Sequence, residues 1–170
     1  MKKAMAVLLT LVFVCSLSGC AKTTEQQSGT EIVNPVQEST AAEILETLGI
    51  TLNVPKDAQS VSYFIINTDD GYPIAQAKFT RSNVEYTYRI RSATALEDIS
   101  GAYYDWTKIK KIEVSYCGGE LRYNEGKEGI CLWYDVVPGL MYCIFTDKGA
   151  SEETLLALAN ELYVPAQDIP

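Results

Sequence analysis

Cys20 is the residue whose type and position most clearly predict a chemical modification. It ends the stretch Leu-Ser-Gly-Cys, and nothing around it has the spacing of a disulfide partner or a metal site. Lys2 and Lys3 precede an apolar run over residues 4–14, and small residues follow that run. This order of charged, apolar and small residues is typical of a secretory signal, so we expect the start of the chain to be removed.

The Leu-Ser-Gly-Cys box matches the lipobox, at which bacterial signal peptides are cleaved directly before a lipid-bearing cysteine. It predicts a signal peptide over residues 1–19 and a lipid, such as palmitate, on the sulfur of Cys20. The apolar run is far shorter than the roughly 20 residues that a membrane-spanning helix needs. We therefore expect a protein anchored by lipid on the extracytoplasmic face of the cell membrane. An ordinary signal peptide with an incidental cysteine is the alternative.

The remaining residue types exclude most common catalytic chemistry. The chain has no histidine, which removes the usual general base and imidazole metal ligands. The three cysteines Cys117, Cys131 and Cys143 lack the Cys-x-x-Cys spacing of zinc or redox sites. We expect no enzymatic activity, no metal and no cofactor, although a convergent pair among the 22 Asp and Glu residues could still act on glycans.

Aromatic residues are the other candidates for a site. Tyr103, Tyr104 and Trp106 lie in the stretch YYDW, and Trp133 lies in the stretch WYD. Such rings could form a platform for sugar rings or for an apolar ligand. The alternative is that the eleven tyrosines and two tryptophans of this chain mainly build its core, with hydroxyl groups at the rim.

Charge and composition divide the chain into a tether and a body. Residues 20–39 are mostly polar and contain no aromatic residue, so we expect the lipidated Cys20 to be followed by a flexible tether. Residues 40–170 have the size of a single domain. Loss of Lys2 and Lys3 with the signal would take the formal net charge from −8 to −10. An acidic body of this kind disfavours nucleic acid as a partner.

Two helices are predicted at the ends of the body. Thr40 and Glu43 form a capping-box pattern, and Gly49 is a typical helix terminator. Ser151 is the predicted N-cap of the second helix. Its apolar residues recur at helical spacing: Leu155, Leu158, Ala159 and Leu162.

Strands with a period of two are predicted between the helices. A tight turn at Ser82-Asn83 would place Ala75, Ala77 and Phe79 opposite Ile90, Tyr88 and Tyr86. The upstream stretch adds three residues to the same face: Val61, Tyr63 and Ile65.

Three further hairpins are predicted in the second half of the body. Their turns are expected at Gly118-Gly119, at residues 124–127 and around Val137. These registers place eleven residues on one face: Ile112, Val114, Tyr116, Leu121, Tyr123, Ile130, Leu132, Tyr134, Leu140, Tyr142 and Ile144. The opposite face would hold Cys131, Trp133, Met141, Cys143 and Phe145, and the terminal helices are the expected cover for it.

The hairpin centred on Val137 would bring two cysteines together. Cys131 and Cys143 are each six residues from that centre, so they would be directly opposite and within disulfide range. Cys117 would lie too far from Cys131 to compete. A Cys131–Cys143 disulfide is the prediction, and two buried free thiols are the alternative.

The stretches LGITLNVPKDAQSVSYFII, DISGAYYDWT and LWYDVVPGLMY resemble uncharacterised lipid-anchored lipoproteins, with a domain of unknown function, from anaerobic Gram-positive bacteria. The resemblance covers roughly residues 40–165. It implies an envelope location and one domain, and it implies no mechanism.

The expected fold is α+β: an antiparallel meander sheet of about seven strands, with a short N-terminal helix and a C-terminal helix packed on it. The expected function is a non-catalytic binding or sensing module of the cell envelope. Two alternatives remain open, a carrier of apolar molecules in a half-barrel cavity and a glycan-acting enzyme. The expected partners are the membrane, through the lipid on Cys20, and an envelope protein, a glycan or a small apolar ligand.

Overall fold

The computed structural model describes residues 34–165. The predicted signal peptide, Cys20 and most of the predicted tether lie outside the described residues. The strands are β1 (Val36–Ser39), β2 (Gln59–Ile66), β3 (Ile74–Arg81), β4 (Val84–Ser92), β5 (Lys108–Val114), β6 (Cys117–Tyr123), β7 (Gly129–Asp135) and β8 (Leu140–Thr146). The helices are α1 (Ala41–Leu48) and α2 (Glu152–Leu162). No helix in this part of the chain combines the length and apolar character needed to cross a bilayer.

The predicted seven-stranded meander is wrong. The sheet has eight antiparallel strands in the order β1-β2-β3-β4-β8-β7-β6-β5, so it consists of two four-stranded meanders joined where β4 pairs with β8. The additional strand is β1, which occupies the last four residues of the segment predicted as a tether and pairs with β2 from Val36↔Ile66 to Ser39↔Tyr63. A meander pairs only sequence neighbours, whereas the β4–β8 pairing joins strands 48 residues apart at their closest approach, and local turn signals do not report such a pairing.

Both helices begin at capping boxes. The Thr40 hydroxyl accepts a hydrogen bond from the Glu43 amide, and the Glu43 carboxylate accepts one from the Thr40 amide. Gly49 ends α1 in the left-handed conformation, with φ at 66°. Ser151 caps α2 through Thr154 in the same reciprocal way. The predicted apolar residues of α2 are all buried: Leu155, Leu158, Ala159 and Leu162.

The predicted register of the β3–β4 hairpin is confirmed. Ala77 pairs with Tyr88 and Phe79 with Tyr86, across a two-residue turn at Ser82-Asn83. Both turn residues have positive φ, 50° and 61°, as a type I′ hairpin turn requires. The chain therefore crosses this turn with the apolar sides of both strands on one face of the sheet.

Two of the three predicted turns in the second half are misplaced, and the third is one residue longer than the predicted 124–127, because Tyr123 pairs with Gly129 and Leu121 with Cys131. The β5–β6 turn lies at Ser115-Tyr116, because Val114 pairs with Cys117, while Gly118 and Gly119 lie inside β6. The β7–β8 loop centres between residues 137 and 138, since Asp135 pairs with Leu140. A shift of one residue moves a whole strand to the other face.

The shift reverses the predicted faces of β7. Trp133 pairs with Tyr142 and lies on the tyrosine-rich face, not opposite Met141 as predicted. Its burial is nevertheless confirmed, with an exposed fraction of 0%. The predicted Cys131–Cys143 disulfide is not formed for the same reason. Cys131 pairs with Ile144 and Cys143 with Leu132, so the two cysteines lie on opposite faces as free thiols.

The two faces of the sheet carry separate cores. The inner face lies under α1, α2 and the chain between α1 and β2. It includes the inner aromatic group, which we define as Tyr88, Trp133, Tyr142 and Tyr163. The outer face carries a smaller cluster of Ile130, Leu132, Met141 and Cys143, covered by Ile99. The terminal helices were the expected cover for this outer face, but the chain between β4 and β5 covers it.

A buried carboxylate fixes the end of α2 to the sheet. Asp135, 1% exposed, accepts a hydrogen bond of 2.5 Å from the hydroxyl of Tyr163, the C-cap residue of α2. Its other oxygen accepts from the Val137 amide at 3.0 Å. The Cys117 thiol donates to the Tyr163 hydroxyl at 3.2 Å. Each polar group here has a partner, so we assign the network a structural role.

Candidate functional site

Residues 93–107 connect β4 to β5 across the outer face without forming a helix or strand. We call this segment the outer loop. Ile99 is buried against the outer-face cluster, and Ala102 and Trp106 are partly buried there. A loop of this length without secondary structure is uncommon in a compact domain and is often functional.

Arg89 on β4 holds the first half of the outer loop. One guanidinium nitrogen donates to the carbonyl oxygens of Ile99 and Ser100, at 2.8 and 2.6 Å. The Nε group donates to the side chain of Gln76, itself 3% exposed, at 2.8 Å. Gly101 follows with φ at 65°, and a Cβ there would lie 3.1 Å from Arg89. Glycine is therefore favoured at 101 by its backbone conformation and by the lack of space.

Asp98 links the loop to β6. One carboxylate oxygen accepts hydrogen bonds from the Ser100 amide and hydroxyl, at 2.9 and 2.6 Å. The other accepts from Arg122 at 2.8 Å, and Arg122 also pairs with Glu120. Because both oxygens of Asp98 are engaged, this residue forms part of the frame of the site.

Asn124 holds the second half of the loop. Its side-chain oxygen accepts from the Thr107 amide at 2.8 Å, and its nitrogen donates to the Asp105 carbonyl at 3.0 Å. The loop is thus fixed near its middle by Arg89 of β4 and near its end by Asn124, which directly follows β6. Because these contacts already order the loop, the loop loses less conformational entropy when a ligand binds to it.

Three aromatic residues lie between these two anchors. The Tyr104 ring stacks on Phe145 of β8 at 6.3 Å between centroids and meets Trp106 edge-on at 5.5 Å. Tyr103 has an exposed fraction of 96% and Tyr104 of 44%. With Asp98, Asp105 and Arg122 they line an open cleft of about 460 Å³, which we call the outer aromatic cleft.

The structure brings together the three aromatic residues predicted as a ligand surface, Tyr103, Tyr104 and Trp106. It separates them from Trp133, which belongs to the inner aromatic group. The polar members of the cleft, Asp98, Asp105 and Arg122, were not predicted. Asp105 lies within the stretch YYDW and Asp98 lies shortly before it, which is a usable signal, whereas Arg122 approaches only through the fold.

The chemistry available in the cleft is that of binding. Aromatic faces offer apolar contact, while Asp105 and Arg122 offer a hydrogen-bond acceptor and donors at the edge. Within residues 34–165, no three acidic or cysteine side chains come together as metal ligands would.

No family model matches this sequence, and no curated protein and no solved structure is significantly similar to it.

Proposed function

We propose that this protein is a lipid-anchored envelope module that binds a neutral glycan in the outer aromatic cleft. The observation that supports the proposal best is Tyr103, a large aromatic residue that is 96% exposed, on a loop whose backbone is held by hydrogen bonds at Ser100 and Asp105. Single exposed apolar residues are common, but Tyr103 is adjacent to Tyr104 and Trp106 in one cleft.

The mixture of rings and charged groups favours a glycan over a hydrocarbon. A sugar ring has an apolar face that can lie against Tyr103 or Trp106, and hydroxyl groups that can pair with Asp105 and Arg122. A hydrocarbon would remove water from those charged groups without replacing their hydrogen bonds, which is unfavourable. The cleft therefore suits a ligand that is apolar on one face and rich in hydroxyl groups at its edge.

Charge favours a neutral glycan over an anionic one. The Arg122 guanidinium is already paired with Asp98 and Glu120, so the nearby Asp105 carboxylate has no compensating cation in the cleft. The formal net charge, −8 for the full chain and −10 after loss of Lys2 and Lys3, adds to this repulsion. We expect polyanionic glycans to bind much more weakly than neutral ones.

A half-barrel carrier of long acyl chains receives less support, because aromatic rings fill most of the inner core and leave only a cavity of about 360 Å³ beside them. Tyr88 is 1% exposed and Trp133 is 0% exposed, in the region where a half-barrel carrier would need space. Catalysis is also less favoured than binding, because Asp98 is committed to Arg122 and Ser100.

Calorimetric titration with neutral and anionic oligosaccharides tests the proposal. Chitotetraose and cellotetraose are the neutral probes, and tetragalacturonate is the anionic one. We expect at least one neutral probe to bind, and Tyr103→Ala to weaken it about tenfold, which corresponds to about 1.4 kcal/mol. Tyr72→Ala is the matched control, because Tyr72 is a 53% exposed tyrosine outside the cleft. Absence of neutral binding at millimolar concentration, or equal effects of both variants, would contradict the proposal.

The anchor is tested independently of the ligand. Growth with a labelled fatty acid should mark the wild-type protein and leave Cys20→Ser unlabelled. Each acyl methylene buried in the bilayer contributes about 0.8 kcal/mol, so the variant should also leave the membrane fraction. Equal labelling of both proteins would overturn the proposed lipid on Cys20.

A further inference from the structure

A second cavity, of about 360 Å³, lies on the inner side of the sheet. It is formed where the chain leaves each helix and passes over β4 and β8. Its lining residues are Gly49, Ile50, Thr51, Asn53, Tyr88, Ile90, Leu140, Tyr142, Leu162 and Val164. Small-molecule sites typically have volumes of about 300–1,000 Å³ and are mostly apolar with a few polar groups. This cavity fits that description and is separate from the outer aromatic cleft.

Two tyrosine hydroxyl groups at the cavity have no hydrogen-bond partner among residues 34–165. Neither Tyr88, 1% exposed, nor Tyr142, 6% exposed, makes a side-chain hydrogen bond to any residue in the range 34–165. The one fully enclosed side-chain polar atom that lacks a partner in this range is Nε1 of Trp133. Neither tyrosine hydroxyl is such an enclosed atom, and both tyrosines line the cavity.

The rings that carry these hydroxyl groups are fixed in place. Trp133 stacks on Tyr142 at 5.1 Å with an interplanar angle of 3°, and on Tyr88 at 6.2 Å. Tyr163 closes the other edge of Tyr142 at 5.5 Å. Burial raises the pKa of both Tyr88 and Tyr142, so both hydroxyl groups remain protonated and able to donate.

We infer that this cavity binds an uncharged, mainly apolar small molecule with one hydrogen-bond acceptor, to which the Tyr88 or Tyr142 hydroxyl donates. None of the ten lining residues carries a formal charge. A carboxylate or an ammonium group would therefore lose its water without meeting an opposite charge. A carbonyl group satisfies a donor at a smaller desolvation cost.

Three naphthalenes of nearly equal shape test this inference. 2-Acetylnaphthalene is neutral and has a carbonyl group as hydrogen-bond acceptor. 2-Naphthoate has a negatively charged carboxylate in place of the acetyl group, and 2-ethylnaphthalene has no hydrogen-bond acceptor. We expect the ketone to bind about tenfold more tightly than either of the others, as one hydrogen bond or one uncompensated charge predicts. In Tyr88→Phe/Tyr142→Phe protein, the ketone and the hydrocarbon should bind equally. Equal binding of all three by the wild type would overturn the inference.

Position is tested by NMR and by a filling variant. Nuclear Overhauser effects should connect the ring protons of the ketone to methyl groups of Ile50, Leu140 and Leu162 in the wild-type protein. Leu140→Phe should fill the cavity and weaken binding at least tenfold, whereas Leu45→Phe, on the exposed side of α1, should not. Nuclear Overhauser effects from the ketone only to residues of the outer loop would overturn the assignment of the ketone to this cavity. Unchanged binding of the ketone by folded Leu140→Phe protein would also overturn it. The wild-type NMR experiment decides if Leu140→Phe does not fold.

Discussion

The two aromatic groups of this protein lie on opposite sides of one sheet and differ in almost every physical respect. In the inner aromatic group, Trp133 is fully buried, and its ring stacks on those of Tyr142 and Tyr88 at 5.1 and 6.2 Å between centroids. In the outer aromatic cleft, Tyr103 is 96% exposed and charged side chains surround the rings. The same residue types therefore form a packed core on one side of the sheet and an exposed cleft on the other.

Different parts of the protein hold the two aromatic groups in place. Strands and the end of α2 position the inner rings, so truncation of one of these rings should disturb the core. Hydrogen bonds from Arg89 and Asn124 position the outer rings, through backbone atoms of the loop. Exposed side chains of the outer loop, such as Tyr103, can therefore change without loss of the frame, as a ligand-binding loop on a rigid scaffold requires.

Trp133→Ala should give the largest effect. Truncation of a fully buried tryptophan leaves a cavity and costs roughly 3–5 kcal/mol in the free energy of unfolding. Urea denaturation of the wild type and the variant measures the difference. A variant as stable as the wild type would remove the distinction between the two aromatic groups.

Gly119→Ala tests the register that places Trp133 on the inner face. A Cβ at residue 119 would lie 2.3 Å from the Leu132 carbonyl oxygen and 3.1 Å from the Cβ of Trp133. Because the nearer atom belongs to the backbone, the strands would have to separate, and we expect a loss of about 1–3 kcal/mol. Gly118→Ala is the matched control, since nothing lies within 4 Å of its Cβ. Equal denaturation midpoints for the two variants would show that the register is different.

The turns between strands differ in how well they could be predicted from the sequence. The β3–β4 register was predictable because Ser82-Asn83 is a turn of two residues between regularly alternating strands. Gly118-Gly119 has the composition of a turn, but Gly119 serves the close approach of β7. The four residues between Asp135 and Leu140 allowed two centres, and the choice between them decided the faces of Trp133 and Cys131.

The outer aromatic cleft was only partly predictable for a related reason. The stretch YYDW marks an aromatic cluster by composition alone, and the cluster is present. Its frame depends on Arg89 of β4 and Arg122 of β6, whose side chains reach the outer loop only because their strands lie beneath it. The outer loop itself has no periodicity, so its role as the cover of the outer face had no sequence signal.

The cysteines on the two faces should behave alike toward a thiol reagent. Burial raises the pKa of Cys131, on the inner face, to about 12, and it also raises the pKa of Cys143, on the outer face. At pH 8 both should resist iodoacetamide until the protein unfolds, because the thiolate is the reactive form. Mass mapping of labelled peptides measures this. Labelling of Cys143 alone in the folded protein would mean that the outer loop opens.

The same pKa shift gives stability a pH dependence. The pKa of Cys131 rises from 9.0 to about 12 on folding, so the unfolded chain releases this proton at lower pH. The contribution of the neutral thiol is therefore complete below about pH 9 and is lost as the pH rises toward about 12. Cys131→Ala should show a smaller loss of stability over this interval in denaturation experiments. A loss equal to that of the wild type would show that other groups account for it.

Tyr103→Ala should give the smallest change in stability. Its side chain is 96% exposed, and surface substitutions usually change the free energy of unfolding by no more than about 0.5 kcal/mol. Thermal denaturation should therefore resemble that of the wild type. A marked loss of stability would mean that Tyr103 supports the loop, and the case for a binding surface would weaken.

The most direct test of the separation between core and binding surface uses the two tryptophans as reporters. The chain contains two tryptophans, so Trp133→Phe leaves Trp106 in the outer aromatic cleft and Trp106→Phe leaves Trp133 in the inner core. Each variant is titrated with the neutral oligosaccharide that binds the wild type, and the fluorescence emission is recorded. We expect a saturable change in the emission of Trp106 and none in that of Trp133. A change at Trp133 with none at Trp106 would contradict the assignment of the outer aromatic cleft as the glycan site.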